Sequence, residues 1–585
     1  MKIDAQTRER VRRLHKTWRE DSYFDEGTRN ELAGLSEEEI TDRFYTDLNF
    51  GTAGLRGLIG AGTNRMNIYV VRKVTQALSD IIREEGPEAC ARGVVIAYDS
   101  RYLANVFAWE TARVLAANNI RSYLFDALRP APELSFAVRY LGCMAGVMIT
   151  ASHNPREHNG YKVYWEDGSQ IGVEKAEQIG RYMRARSSWA VDVPANGTWE
   201  ERWPTRIGAE IDEAFRNAVA QTLVNPDLIR RRGGELSIVY SPLHGTGNLP
   251  TRQMLHQVGF TAVHVVPEQE QPDGSFPTVR VPNPEDPAAL TMALALAQNL
   301  QADIVLVSDP DADRLGLSVR DKTGTYRVFT GNQIGILLSH YLIGQKSAQG
   351  TLAQDAVVIK TVASTDLVET IAAEAGLQTR NVHVGFRFIG EQILEMETTG
   401  SGRFLFGFEE SLGYLAGTYA RDKDAVGAAV LLSEAALYYK VIRGQSLWEV
   451  LQDIYTRYGY YEDAQSSVTL SGIAGRRRIE EIMTRMRSNP PRTLAGCPIA
   501  KIEDYQARRA QHVLTATESP IDLPSADVLR FSLLGGGYVL VRPSGTEPKI
   551  KFYFSLKSPD RASGQEFLAR VAKEFLAPVE DLLQG

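Results

Sequence analysis

The chain reads as an α/β protein, a succession of domains with largely parallel sheets followed by a smaller α+β domain. Two observations predict this. First, residues 94–101, 236–245, 303–314 and 357–361 each form a short β-branched run ending in a polar loop. Helical-period stretches such as 106–118 and 287–300 lie between them, and that alternation builds βαβ units with buried strands. Second, runs 528–534 and 538–541 flank Gly535-Gly-Gly537 as a hairpin, 550–556 gives a further strand, and 565–583 an amphipathic helix.

The length of 585 residues corresponds to roughly four domains. Boundaries fall in the Pro/Gly/Trp-rich stretch 189–204, at the turn Asp321-Lys-Thr-Gly324 and near Tyr458-Gly-Tyr-Tyr461. The first fifty residues are charged and helix-prone and are expected to pack on the first domain.

A net charge of -7 lacks the basic excess that tracks a nucleic-acid backbone, so no nucleic-acid partner is expected. Small phosphates remain open, because local arginines, lysines and backbone N–H groups set the field inside a cleft. Cys90, Cys143 and Cys497 are odd in number and widely spaced, which fits reduced, mostly buried thiols. The opening residues lack an apolar signal-type core, and the apolar stretch 425–441 is interrupted by Ser433, Glu434 and Lys440. No membrane partner and a cytoplasmic location are therefore expected, and the acceptor pattern Asn196-Gly-Thr198 has no meaning without secretion.

Thr150-Ala-Ser-His-Asn-Pro155 follows the apolar run 145–149 and presents Ser152 as a candidate nucleophile. The same residues also suit a plain turn. A hydrolase triad with His153 is disfavoured, since adjacent side chains rarely reach that geometry and no Gly-x-Ser-x-Gly elbow is present. Ser308-Asp-Pro-Asp-Ala-Asp-Arg314 carries three carboxylates at alternate positions. In extended backbone Asp309, Asp311 and Asp313 would point one way, and their repulsion would be relieved by a hard divalent cation, magnesium being the natural one. An exposed acidic loop is the plain alternative.

Arg542-Pro-Ser-Gly-Thr-Glu-Pro548 combines a guanidinium, two hydroxyls and a glycine, a workable phosphate cradle. Gly407-Phe-Glu-Glu-Ser-Leu-Gly413 offers groups that can grip sugar hydroxyls, and Gly51-Thr-Ala-Gly-Leu-Arg-Gly57 can bring Arg56 to a phosphate. Lys423, in Arg421-Asp-Lys-Asp424, reads most simply as a solvated charge.

Together these pieces, in order from Gly51 to Tyr553, resemble the α-D-phosphohexomutase superfamily in its phosphoglucomutase and phosphomannomutase branch. Asn159-Gly-Tyr-Lys162, Pro272-Asp-Gly-Ser-Phe-Pro277 and Pro282-Asn-Pro-Glu285 are similar to a subgroup containing bacterial α-phosphoglucomutases, phosphopentomutases and glucose-1,6-bisphosphate synthases. The resemblance implies four domains around a central cleft, three related α/β domains with mixed, largely parallel sheets and a C-terminal α+β domain closing over phosphate. It suggests 1–205 for the phosphoserine loop, 206–322 for the metal loop, 323–460 for the sugar loop and 461–585 for the phosphate cradle.

By the same resemblance Ser152 carries the phosphoryl group and joins Asp309, Asp311 and Asp313 around Mg2+. Arg56 and Lys162 steady the transferring group, and His153 or Lys423 moves the hydroxyl proton. Arg314 lines the cleft, Glu409 and Ser411 hold the sugar, and Arg542, Ser544, Gly545 and Thr546 hold the phosphate that is not reacting. The implied reaction is the α-phosphoglucomutase interconversion of glucose 1-phosphate and glucose 6-phosphate, with glucose 1,6-bisphosphate as intermediate and activator, by a monomer or small homo-oligomer.

One departure stands out. Gly385-Phe-Arg-Phe388 places arginine where many relatives carry lysine, so Arg387 keeps the charge but cannot accept a proton near neutrality. Pentose or mannose phosphates, a bisphosphate-synthase activity, an aspartyl phosphatase using Asp309-Pro-Asp311, and a non-catalytic sugar-phosphate sensor are the alternatives.

Overall fold

Three helices precede the first sheet in the computed structural model, which describes residues 4–51, 54–194, 204–470, 472–544 and 549–584. Each starts on a side-chain cap. Asp4 accepts from the Thr7 amide and Asp25 from the Thr28 amide, and Ser36 with Glu39 forms a capping box. Their buried Trp18, Leu32 and Phe44, with Phe24 from the first connection, join the core under the first sheet, as the sequence predicted.

That sheet contains β1 (Leu55–Leu58), β2 (Val94–Tyr98), β3 (Ser122–Phe125), β4 (Ala145–Ile149), β5 (His158–Trp165) and β6 (Thr205–Ile207), in the order β1-β5-β4-β2-β3-β6. The four strands β4, β2, β3 and β6 run parallel, while β5 and then β1 turn antiparallel at one edge. All five residues of β4 are buried, which is why it reads as an unbroken apolar run. The loops after β2 and β4 open from the same end of the sheet, where ligands collect in α/β folds.

The second sheet holds β7 (Ile238–Ser241), β8 (Val263–Val265), β9 (Ile304–Ser308), β10 (Leu315–Arg320) and β11 (Tyr326–Val328), in the order β11-β10-β9-β7-β8. Helix Pro287–Leu300, capped by Asp286, packs on β7 and β9. The turn Asp321-Lys-Thr-Gly324, marked by its composition as a boundary, is the tip of the β10–β11 hairpin.

In the third sheet, β12 (Ala356–Thr361) lies between parallel neighbours β13 (Gln378–Val382) and β14 (Arg403–Glu409), and β15 (Gly413–Ala416) returns antiparallel to β14. Helix Gly331–Ala348 packs so closely that a Cβ on Gly335 would sit 2.3 Å from the Phe408 ring. The last sheet is antiparallel throughout. It comprises β16 (Tyr460–Thr469), β17 (Thr493–Leu494), β18 (Cys497–Asp504), β19 (Arg509–His512), β20 (Thr517–Pro520), β21 (Leu529–Leu533), β22 (Gly537–Pro543) and β23 (Lys549–Ser558). Gly535, Gly536 and Gly537 all take positive φ at the predicted hairpin, a conformation that side chains resist. Ile482 and Phe575, from helices Gly472–Ser488 and Arg561–Gln584, complete the core of this domain.

The described residues form two compact units, 1–316 with 417–433, and 317–416 with 434–585. The apolar stretch forms helix Ala425–Tyr438, continued by a π-helical turn to Arg443. Length and composition would let it cross a membrane, but 78% of its most apolar window is buried inside the protein. Of the free cysteines only Cys143 is buried, so the expectation of mostly buried thiols is corrected for Cys90 and Cys497, which are half exposed. Asn196 and part of the 189–204 stretch lie outside the described residues.

Candidate active site

The nucleophile loop begins where β4 ends. Thr150 Oγ accepts the Ser152 N–H at 2.7 Å and donates to Asp99 at 2.7 Å. Ser152 is thereby held with φ of 51°, a left-handed conformation rare for non-glycine residues and frequent at functional sites. Its hydroxyl donates to Asp309 Oδ2 at 2.8 Å and lies 3.1 Å from His153 Nδ1. His153 thus lies within hydrogen-bond reach of the serine oxygen although the two residues are adjacent, at a backbone turned by the positive φ of Ser152. Arg56, opposite Gly160 on the β1–β5 register, donates to the Asn154 side chain of the same loop at 2.9 Å.

Asp309, Asp311 and Asp313 follow β9 and are buried, offering carboxylate oxygens that lie within 4.8 Å of one another. They converge differently from the expected extended alternation. The loop is a turn with Ala312 at φ of 51°, and Asp309 Oδ1 accepts the amides of Asp313 and Arg314 at 3.1 and 3.0 Å. Three segments hold the loop carbonyls. Thr246 donates to Pro310, Ala131 to Asp311 and Ala425 to Ala312. A Cβ on Gly245 would lie 2.4 Å from Pro310 Cα, so this approach requires glycine.

Two buried lysines face the acids. Lys162, opposite Met148 on the β4–β5 register, places Nζ 2.8 Å from Asp311 and 3.3 Å from Asp313. Lys423 sits 3.2 Å from Asp313 and 3.1 Å from Asp422, and the sequence reading of a solvated charge is corrected, since only 7% of it is exposed. Asp422 in turn accepts from Tyr164 and Gln170, both at 2.7 Å.

Burial and the charges of Asp311 and Asp313 push the Asp309 carboxyl well above the usual range. Burial also acts on Asp313, but Lys423, Lys162 and Arg314 outweigh it and hold that group below the usual range. Burial would lower Lys162, yet Asp311 and Asp313 raise it, so its ammonium is retained. Oδ1 of Asp311 and Oδ1 of Asp313 are buried without a hydrogen-bond partner among the described residues. Buried, unpartnered carboxylate oxygens beside a third carboxylate fit a hard divalent cation. Arg314 lies 3.8 Å from Asp313 and 4.0 Å from Glu285 of the Pro282-Asn-Pro-Glu285 segment.

The remaining predicted residues belong to the second unit. Glu409 ends β14, is buried and accepts the Gly385 amide at 3.0 Å. Its neighbour Glu410 accepts from Thr361 at 2.8 Å, and half-buried Ser411 occupies the turn before Leu412, whose φ is 63°. Arg542, one residue before the end of β22, has Nε 3.4 Å from the Tyr553 hydroxyl. Burial lowers Arg542, but Tyr553, Glu410 and Glu409 raise it overall. The Ser544 amide donates to the Lys549 carbonyl at 2.7 Å, while Gly545 and Thr546 lie outside the described residues. The Arg387 guanidinium lies 4.4 Å from the centre of the Phe388 ring.

Sequence reasoning gave no role to Asp99, Arg101, Tyr164 or Asp422. Asp99 and Arg101 stand in the polar loop after β2, a position that was itself a signal. Tyr164 lies two residues beyond Lys162 on β5, and so on the same face of the strand.

Four domains in this order, with a serine loop set against an acidic triad, define the α-D-phosphohexomutase class. The chain matches the four domain families of phosphoglucomutase/phosphomannomutase: alpha/beta/alpha domains I, II and III at residues 47–188, 213–324 and 330–458, and the C-terminal domain at 497–574. A phosphoglucomutase of Staphylococcus aureus (strain MRSA252) is 37% identical over 529 residues, covering 90% of this chain and 92% of its own. In structure, the exocytosis-sensitive phosphoprotein pp63/parafusin of Paramecium, in its open form, superposes with a TM-score of 0.66 at 15% identity, over 92% of this chain and 96% of that one. A phosphoglucomutase/phosphomannomutase family protein from Burkholderia thailandensis gives 0.63 at 16%, over 91% and 98%. The chain belongs to the phosphoglucomutase/phosphomannomutase family.

Proposed function

We propose that this enzyme is an intramolecular phosphotransferase of the isomerase class that interconverts glucose 1-phosphate and glucose 6-phosphate, with Ser152 as its phosphoryl carrier. The observation that carries this reading is the Ser152 hydroxyl 2.8 Å from Asp309, in a buried triad of acids whose other two members pair with Lys162 and Lys423.

Phosphoserine 152 gives its phosphoryl to the free hydroxyl of the sugar monophosphate. The P–Oγ bond breaks, a P–O bond to the sugar forms, and the hydroxyl proton passes to a nearby base. His153 is the better candidate for that proton, since Lys423 is wedged between Asp313 and Asp422 and serves better as a fixed positive charge. The glucose 1,6-bisphosphate so formed turns round and its other phosphoryl returns to Ser152. Arg56 and Lys162 steady the charge of the moving group.

Asp309, Asp311 and Asp313, with the Ser152 oxygen, would hold Mg2+, which when bound supplies charge neutralisation at the phosphoryl oxygens. Glu409 and Ser411 grip ring hydroxyls in both poses, and Arg314 lines the cleft. Arg542, Ser544, Gly545 and Thr546 take whichever phosphate is not reacting. The reading assigns these tasks to domains at 1–205, 206–322, 323–460 and 461–585, in a cytoplasmic monomer or small homo-oligomer. Pentose or mannose phosphates share the chemistry, and a coupled assay that ranks the sugars as alternative substrates tests the choice. A higher kcat/KM for ribose 5-phosphate than for glucose 1-phosphate would overturn the glucose assignment.

A further inference from the structure

Arg101, three residues past the end of β2, is 3% exposed and lies beneath the serine loop. Its Nη2 donates to the carbonyl oxygens of Ser152, at 2.5 Å, and of Asn154. Nη1 donates to those of Pro155 and His158 at 2.9 and 3.0 Å. The fifth N–H, on Nε, has no hydrogen-bond acceptor but faces Asp99 at 3.4 Å, and the outer face of the guanidinium stacks 5.1 Å from the centre of the Phe276 ring. All four terminal N–H groups of one planar guanidinium are thus spent on a single loop of seven residues. A lysine, with three donors around one point, cannot reproduce that fork.

Asp99 works the same loop from the other side. It accepts from Thr150 Oγ, which takes the Ser152 amide, and it also accepts the Arg101 amide at 2.9 Å. Asp99 and Arg101 therefore hold Ser152 through its N–H and its C=O, across a backbone conformation that a free serine would leave. The Ser152 hydroxyl is aimed at Asp309 only while both ends of the residue are fixed.

We infer that Arg101 is a positioning residue for phosphoryl transfer: its guanidinium, clamped on four carbonyls of the 152–158 loop, keeps Ser152 in the strained conformation from which its oxygen reaches the reacting phosphoryl group. The inference rests on Ser152 as the carrier. The described side-chain partners of Arg101 are the carbonyls of the 152–158 loop, Asp99 and Phe276, so its loss should act on the transfer step and not on the hold on sugar phosphate.

The test uses Arg101→Lys, which keeps the charge, and Arg101→Gln, which keeps two donors, both in the full-length protein with Mg2+. Ser152 occupancy is read by intact mass after loading with glucose 1,6-bisphosphate, and single-turnover transfer to glucose 1-phosphate by rapid quench. The expected result for Arg101→Lys is a transfer rate about 100-fold lower, the loss that a displacement of roughly 1 Å produces, with KM within about threefold of wild type. If Arg101→Lys does not fold, Arg101→Gln is read in its place. Equal losses in KM and stability without a change in transfer rate per phosphorylated enzyme would make Arg101 a folding element only, and an unchanged rate would likewise overturn the inference. Absence of Ser152 phosphate in the wild-type protein would instead overturn the carrier reading, so the two failures are distinguishable.

Discussion

The hydroxyl of Ser152 donates a 2.8 Å hydrogen bond to Asp309, which lies 157 positions further along the chain. Serine at the end of β4 and aspartate at the end of β9 come from different sheets, so only the packing of two domains within one compact unit creates this contact. That pairing sets the nucleophile beside the acidic triad.

Lys162 pairs with two buried carboxylates, and Lys162→Met would take from Asp311 its lysine and leave Asp313 facing Lys423 and Arg314. Breaking a buried pair in this way costs about 3–5 kcal/mol. The variant should melt several degrees below wild type and transfer phosphoryl at least about 100-fold more slowly. Part of the lost stability should return on adding Mg2+, because a bound cation restores the missing charge. Thermal unfolding with and without Mg2+ checks this, and an unchanged melting temperature would contradict the charge balance.

Removal of divalent cations by a chelator should abolish turnover and lower the melting temperature of the wild-type protein. Mg2+ should restore both, since Oδ1 of Asp311 and of Asp313 have no hydrogen-bond partner among the described residues. Full activity after exhaustive chelation would contradict a cation at the triad.

Burial lowers the Arg542 pKa, but Tyr553, Glu410 and Glu409 outweigh it and raise the group above its ordinary range, so its positive charge is retained. Arg542→Ala removes a charge-assisted contact worth about 1.5–3 kcal/mol. KM for glucose 1-phosphate should therefore rise roughly 10- to 100-fold, with transfer from a pre-formed phosphoenzyme less affected. An unchanged KM in steady-state kinetics would sink the phosphate-cradle assignment.

Burial raises the Asp424 carboxyl to about 6, although Tyr419 and the amides of Gly427 and Val426 pull it down. The folded state thus holds this proton more tightly than the unfolded chain. Its contribution is fully present below about pH 4 and is lost as pH rises through about 6, a change on the order of 3 kcal/mol. Asp424→Asn keeps an acceptor for Val426 and cannot ionise. The stability of wild type relative to this variant should therefore fall between pH 4 and 6, measured by thermal unfolding across that range. A difference independent of pH would contradict the raised pKa.

Much of this site was legible because its parts are contiguous motifs. Thr150 to Pro155 and Asp309 to Arg314 each follow an apolar strand, and a polar loop in that position marks the ligand end of an α/β sheet. The way the carboxylates converge was not legible. Alternation in extended backbone gave a plausible geometry, whereas the chain uses a left-handed Ala312 and two amides folded back onto Asp309. Lys423 looked solvated because its neighbours are charged, and nothing local reveals that Asp313, 110 residues earlier, is its partner. Arg101 was hidden for the same reason. Its acceptors are backbone carbonyls, which leave no trace in side-chain chemistry.

The most direct test of the central claim is intact mass with peptide mapping, before and after adding glucose 1,6-bisphosphate or glucose 1-phosphate with Mg2+. The expected result is one phosphoryl group on the peptide containing Ser152, stable to hydroxylamine, gained from the bisphosphate and given up to the monophosphate. A phosphoryl group absent from Ser152 under every condition, or one released by hydroxylamine from an aspartate of the 309–313 loop, would contradict it.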